Sequence, residues 1–155
     1  MRVEKEYQSN LPLVPLDEGL VEQAFINIVQ NAYDAMGSDS EGRLHVAAAR
    51  SRRNKPEGGS TEGVEIRIAD SGPGIPPELR EQIFNPFVTT KKSGVGLGLS
   101  IVSKIIDGHH GSIRVEAARN GTSQDSKNPG ACFVIFLPAV TESSAVTNKT
   151  HLVIS

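Results

Sequence analysis

Two asparagines and an aspartate interrupt an otherwise apolar helical stretch: Asn27, Asn31 and Asp34 stand at i, i+4 and i+7, bordered by Ala24, Ile28, Val29 and Ala32. That spacing places them on one helix face. Asparagine is a mediocre helix former whose amide competes for local backbone hydrogen bonds, so two in mid-helix require a reason, the plainest being solvent exposure. Flanked by the buried face, however, the stripe reads as the wall of a pocket. Its side-chain oxygens suit Mg²⁺, which keeps several waters and takes one or two protein oxygens together with substrate phosphates.

Three further stretches carry chemistry. Asp70-Ser71-Gly72-Pro73-Gly74-Ile75-Pro76 directly follows a strand-like run, making a tight turn with a carboxylate over it. A carboxylate only accepts, so it can take a hydrogen bond from an exocyclic amine such as that of adenine, and glycine backbone lets a flat ring come close. In Ile83-Phe84-Asn85-Pro86-Phe87-Val88-Thr89-Thr90-Lys91-Lys92 the two phenylalanines read as core anchors for a loop. Its lysines are point charges suited to a terminal phosphate. Then comes Ser93-Gly94-Val95-Gly96-Leu97-Gly98-Leu99-Ser100, glycines at alternate positions running into the apolar Ile101-Val102. A glycine loop feeding a helix N-terminus offers backbone N–H groups and a positive dipole end to an anion, phosphate first among them. Leu at 99 excludes the dinucleotide fingerprint, and the lack of a closing Gly-Lys-Ser/Thr excludes a Walker A loop.

The elements that must position these groups are readable in order. Residues 2–7 alternate as a strand, and the extended segment 11–16 is kept at a sheet edge by Pro12 and Pro15. Asp17 caps a long helix with Leu20, Val21, Ala24, Phe25, Ile28, Val29, Ala32 and Met36 in helical register before Gly37. Strands are expected over 44–49 and 64–69, separated by a solvated loop over the charged run 50–59. A short helix at 77–83, a strong helix from Leu97 to Asp107 closed by Gly108 or Gly111, and strands over 112–117 and 131–137 follow, the last two joined by a polar loop. The expected class is α+β: a two-layer sandwich with a mixed, mostly antiparallel sheet of about five strands, covered on one face by about three helices. Residues 1–138 form one domain and 139–155 a frayed tail.

Composition bounds the partners. The chain has 155 residues, 37% hydrophobic, with a formal net charge of -2, and acids and bases are mixed along it, against the basic footprint of a nucleic-acid binder or a membrane anchor. Its single cysteine, Cys132, and four scattered histidines suggest a reducing, cytoplasmic setting without a structural metal site. No run approaches the roughly 18 apolar residues of a membrane span, so the domain is expected to make no membrane contact.

In this order the motifs resemble the catalytic, ATP-binding domain of sensor histidine kinases, within the superfamily of gyrase B, MutL and the large heat-shock chaperones. Asn27-Ile28-Val29-Gln30-Asn31-Ala32 resembles the N box, Asp70-Ser71-Gly72-Pro73-Gly74 the first glycine box, Phe84-Asn85-Pro86-Phe87 the F box, and Gly94-Val95-Gly96-Leu97-Gly98-Leu99 the second glycine box. The short run 89–93 is most similar to the nitrogen-regulation branch. The resemblance implies Mg²⁺ on Asn31, the adenine amine on Asp70, the base beside Gly72 and Gly74, and the phosphates among Lys91, Gly94, Gly96 and Gly98, with Asp34, Ile75, Thr90, Leu97 and Leu99 as further nucleotide contacts. Asn27, Asn31 and Lys91 become the candidate catalytic positions.

Asn27 stands where ATP-hydrolysing relatives carry a water-activating glutamate; an amide has no basic form at working pH, which favours phosphoryl transfer over hydrolysis. Two departures from the pattern bear on affinity: Val95 replaces a frequent hydroxyl residue, and Cys132 stands where a Thr or Ser is expected to complete the adenine site. A phosphoacceptor histidine on a dimerisation segment is implied as partner, with a response regulator downstream. None of the four histidines fits that acceptor, His109 and His110 reading instead as residues closing a helix, so the chain is expected to be a monomeric piece of a longer kinase. A serine kinase of the anti-sigma-factor type and a nucleotide-sensing module without phosphotransfer are the alternatives.

Overall fold

The computed structural model describes residues 1–37, 41–88, 98–118, 129–140 and, for the backbone, 151–152. Five strands form the main sheet: β1 (Arg2–Tyr7), β3 (Arg43–Asn54), β4 (Ser60–Asp70), β5 (Ser112–Ala117) and β6 (Ala131–Pro138), in the order β1-β3-β4-β6-β5. Among the described residues β1 and β3 run parallel and the other pairs of this sheet are antiparallel. A second, two-stranded ribbon joins β2 (Val14–Pro15) to β7 (His151–Leu152). The expected α+β sandwich with its mixed sheet is therefore the observed architecture.

Helix α1 (Glu18–Met36) begins as its sequence requires: the Asp17 carboxylate accepts from the Leu20 N–H at 3.1 Å, satisfying one of the orphan donors of the first turn. Gly37, at φ 64, ends it with N–H bonds to the Tyr33 and Asp34 carbonyls. Helix α2 (Gly98–Gly108) packs beside α1. Between β4 and α2 the short helix expected at 77–83 is instead two single 3₁₀ turns, Pro77–Leu79 and Gln82–Phe84. Pro77 at the start and Pro86, which disfavours helix at Asn85, bound this segment at about two turns.

Strand register decides which side chains meet the helices. Leu44 pairs with Asp70, Val46 with Ile68, Ile68 with Phe133 and Ile66 with Ile135, and these core-facing positions join Val21, Ala24, Ile28 and Ala32 of α1 and Val102, Ile105 and Ile106 of α2 in one apolar cluster. The opposite face carries a charged layer over the buried Cys132, Val134 and Phe136 of β6: Arg53 meets Glu65, Glu65 meets Arg67, and Glu116 meets both Arg67 and Arg114. Arg53 also lies over the Phe136 ring, 5.1 Å from its centroid.

This charged layer corrects one expectation. Residues 50–54 continue β3 rather than opening a loop, because Arg50 and Arg53 find Glu62 and Glu65 across the ladder; the turn itself is only 55–59. Beyond Pro138, where fraying was expected, Ala139 and Val140 donate to the Glu62 and Leu13 carbonyls, and 151–152 pair with β2.

Candidate functional site

Asp70 is the last residue of β4 and faces the core side of the sheet, opposite Leu44. It is 4% exposed. Its Oδ1 accepts from two backbone N–H groups, Gly72 at 2.8 Å and Ala131 at 3.3 Å. Both bonds use one oxygen, Oδ1, and among the described residues no bond to Oδ2 is seen. Burial raises the carboxyl above the ordinary carboxylate range, and the two N–H bonds oppose that shift without cancelling it.

The turn after Asp70 is knitted to three neighbours. Ser71 exchanges bonds with Arg43, its N–H donating to the Arg43 carbonyl at 3.1 Å and its Oγ accepting from the Arg43 N–H at 2.9 Å. The same hydroxyl donates to Sδ of Met36, at the end of α1, at 3.4 Å. The Gly130 N–H donates to the Gly72 carbonyl at 2.9 Å, so the start of β6 closes over the turn. Glycine is sterically required here. A Cβ on Gly72 would lie 3.0 Å from Asp70 Oδ1 and 3.4 Å from Ala35, and one on Gly130, at φ 68, would lie 2.2 Å from the Asp70 carbonyl oxygen. Gly74 also has a positive φ, of 80, with the Gly130 carbonyl 2.9 Å from where its Cβ would be. The Ile75 carbonyl accepts from Arg80 Nε at 3.1 Å, which holds the loop beyond.

Because the last turn of α1 lies on Gly72 and Ser71, the asparagines one and two turns earlier fall on the same side of the molecule as Asp70. Asn27 and Asn31 are half-buried; Asn27 Nδ2 donates to the carbonyl of Gly98, the first residue of α2, at 3.4 Å. Asp34 is exposed and accepts from Gln30 Nε2 at 3.0 Å. Gly98 and Leu99 open α2, with Leu99 packed on the core. The structure thus gathers Asn27, Asn31, Asp70, Gly72, Gly74, Ile75, Gly98 and Leu99. Thr90, Lys91, Gly94, Gly96 and Leu97, together with Val95, lie outside the described residues.

Two site features escaped the sequence reading. Gly130 and Ala131 contribute a turn-closing bond and a ligand to Asp70; the Pro129-Gly130 pair before an apolar run was the available signal. Cys132, expected to complete the adenine site, stands instead opposite Ala69 and Glu116, on the charged face. Burial pushes its thiol up, with Arg67 opposing. The residue beside Asp70 is Ala131.

The donor set fits a nucleotide and a hard cation. Asp70 presents a buried carboxylate beside glycine backbone, with Oδ1 held by two N–H groups, and Asn31 carries an amide oxygen of the kind Mg²⁺ takes alongside phosphates. Among the described residues no group of three or more His, Cys, Asp or Glu could hold a metal by itself. Nor is any described helix long and apolar enough to cross a membrane.

Residues 16–141 match the family described as histidine kinase-, DNA gyrase B- and HSP90-like ATPase. The chain belongs to that family. It is 34% identical over 137 residues to the sensory histidine kinase/phosphatase NtrB of Vibrio alginolyticus, covering 88% of this chain but 37% of that protein. The chain thus spans little more than a third of that relative. Among solved structures it resembles the mycobacterial sensor histidine kinase MprB, with a TM-score of 0.69 and 30% identity over 88% of this chain and 80% of that one. It also resembles full-length ShkA in complex with AMPPNP, with a TM-score of 0.65 and 29% identity over 90% of this chain and 26% of that one.

Proposed function

We propose that this domain binds Mg·ATP and presents the γ-phosphate to a histidine on a separate dimerisation segment of a two-component sensor kinase. The observation that carries the reading is Asp70: a buried carboxylate with one oxygen tied down by backbone and the other open beside glycine, which is the arrangement that recognises an exocyclic amine. The family match and the likeness to a kinase holding an ATP analogue support it.

In this reading Asp70 Oδ2 accepts from the adenine amine, and Gly72 and Gly74 let the ring lie against backbone. Asn31 supplies an oxygen to Mg²⁺, which when bound neutralises phosphate charge. The first N–H groups of α2, at Gly98 and Leu99, face the phosphates, where the helix dipole favours negative charge. Asn27 holds the start of α2 through Gly98 and, being an amide, activates no water. Transfer then depends on positioning and charge neutralisation rather than on a general base in this chain. Lys91 and Thr90, with Gly94, Gly96 and Leu97, are assigned to the phosphate side from sequence alone, and Asp34 to its rim.

Calorimetric titration with a non-hydrolysable ATP analogue, with and without Mg²⁺, tests the binding step. The reading predicts saturable binding that Mg²⁺ strengthens, and no heat at millimolar nucleotide contradicts it. Adding a separately produced dimerisation segment and labelled ATP tests the transfer: acid-labile label on that segment's histidine is expected.

A further inference from the structure

The two helices flanking the site are tied at both ends. Near the start of α2, Asn27 Nδ2 holds the Gly98 carbonyl. At the far end the Asp17 N–H, immediately before α1, donates to Nε2 of His109 at 2.9 Å, a link between residues 92 positions apart. The other ring nitrogen, Nδ1, lies 2.7 Å from the Ile105 carbonyl, one turn back in α2.

These two partners leave the imidazole a single state. A backbone N–H only donates, so Nε2 must be bare; a carbonyl only accepts, so Nδ1 must carry the proton. The helix end aims the ring. His110 takes φ 60, its N–H donates to the Asp107 carbonyl, and the Gly111 N–H donates to the Ile106 carbonyl, which closes α2 and leaves His109 on the side of Asp17. Gly111 lies close against β6, where a Cβ would stand 2.3 Å from the Phe136 carbonyl oxygen, so the turn after His110 requires glycine. Asp17 is itself the cap of α1, so one short segment fixes where α1 begins and how far along it α2 sits.

We propose that His109 is a positioning residue for nucleotide binding. As a neutral Nδ1–H imidazole it sets the axial position of α2 against α1, and so the placement of the Gly98-Leu99-Ser100 N–H groups relative to Asn27 and Asn31. The proposal rests on the nucleotide reading of the site given above. A residue that merely added stability would change the melting of these variants without moving nucleotide affinity or the amide signals at 98–100 in those that fold.

Three variants separate the two nitrogens. In His109→Gln the amide oxygen reaches the position of Nε2 and can accept from Asp17; His109→Asn reaches only as far as Nδ1; His109→Leu replaces neither. Each variant is first shown to melt cooperatively, then titrated with a Mg²⁺-loaded ATP analogue and examined by amide NMR at Gly98, Leu99 and Ser100. His109→Asn and His109→Leu are expected to lose about tenfold in affinity, the scale of one lost hydrogen bond, with shifted amide signals at 98–100. His109→Gln is expected within about twofold of the parent chain. Should His109→Leu fail to fold, the Gln and Asn pair still decides. Nitrogen-resolved imidazole NMR of the parent chain should find Nδ1 protonated and Nε2 bare. Equal affinities in all folded variants, a Gln variant as weak as Leu, or an Nε2–H ring overturns the proposal. Failure of the parent chain itself to bind nucleotide would instead overturn the reading of the site, a result the imidazole spectrum does not depend on.

Discussion

The two ends of the proposed site are built differently. Around Asp70 the chain is closed on itself: one carboxylate oxygen takes two backbone N–H groups, the Gly130 N–H holds the Gly72 carbonyl, and Ser71 bridges to Arg43 and Met36. Around Asn31 the described chain offers half-buried amides on one helix and the first turn of another, joined by one bond of 3.4 Å between Asn27 and Gly98. The base end is preorganised by hydrogen bonds packed directly around the carboxylate and its turn. The phosphate end is positioned at a distance, by where two helices stand. Base specificity and the larger share of affinity are therefore expected to reside at Asp70, with helix placement tuning affinity to a smaller extent.

Breaking the base end should have the largest effect. In Asp70→Asn the side-chain oxygen can still accept from Gly72 and Ala131, but a donor replaces the open acceptor. Nucleotide affinity should fall on the order of 100-fold, the scale of a lost bond to a charged group, as read by calorimetry. Stability should move the other way. A carboxyl whose folded pKa is raised contributes stability that is complete below its unfolded value and lost as pH rises through the raised folded value. The neutral amide avoids that loss, so the variant should melt at or above the parent at neutral pH, the gap closing on acidification. In the parent chain, nucleotide binding should weaken as pH falls through the same range, because protonation removes the acceptor.

Gly130→Ala attacks the same end through backbone. With φ at 68 and its new Cβ 2.2 Å from the Asp70 carbonyl oxygen, it should cost about 2–3 kcal/mol of stability by denaturant unfolding. At the phosphate end Asn31→Ala should cost about tenfold in affinity with Mg²⁺ present and little when Mg²⁺ is chelated; an equal loss in both conditions would remove Asn31 from the metal. Smallest is Cys132→Ser. It should leave nucleotide affinity within about twofold while a buried hydroxyl costs about 1 kcal/mol by thermal melting, since that side chain lies on the far face of the sheet.

Local signals were legible and long-range ones were not. Asp17, the helical spacing of Val21, Ala24, Ile28 and Ala32, and Gly37 fixed α1, because a cap and a 3.6-residue period act within a few residues. Asp70 and its glycines were readable as a turn for the same reason. The run 50–54 reads as a solvated loop until Glu62 and Glu65 are placed across from it, which is a property of the register. Cys132 misled by one residue: strand side chains alternate, so a shift of one moves a residue to the opposite face. His109 looked like a residue closing a helix, and its neighbour His110 does take the left-handed turn. Its bond to Asp17 spans most of the chain, beyond any local pattern.

The most direct test of the account compares ATP with GTP analogues on the intact chain and on Asp70→Asn. Guanine carries a carbonyl where adenine carries the amine, so an open Asp70 oxygen should reject it. The parent chain should favour the adenine nucleotide by on the order of 100-fold, and Asp70→Asn should lose most of that preference. Equal affinity of the parent chain for both nucleotides, or a preference that survives Asp70→Asn intact, would contradict the assignment of Asp70 to the base.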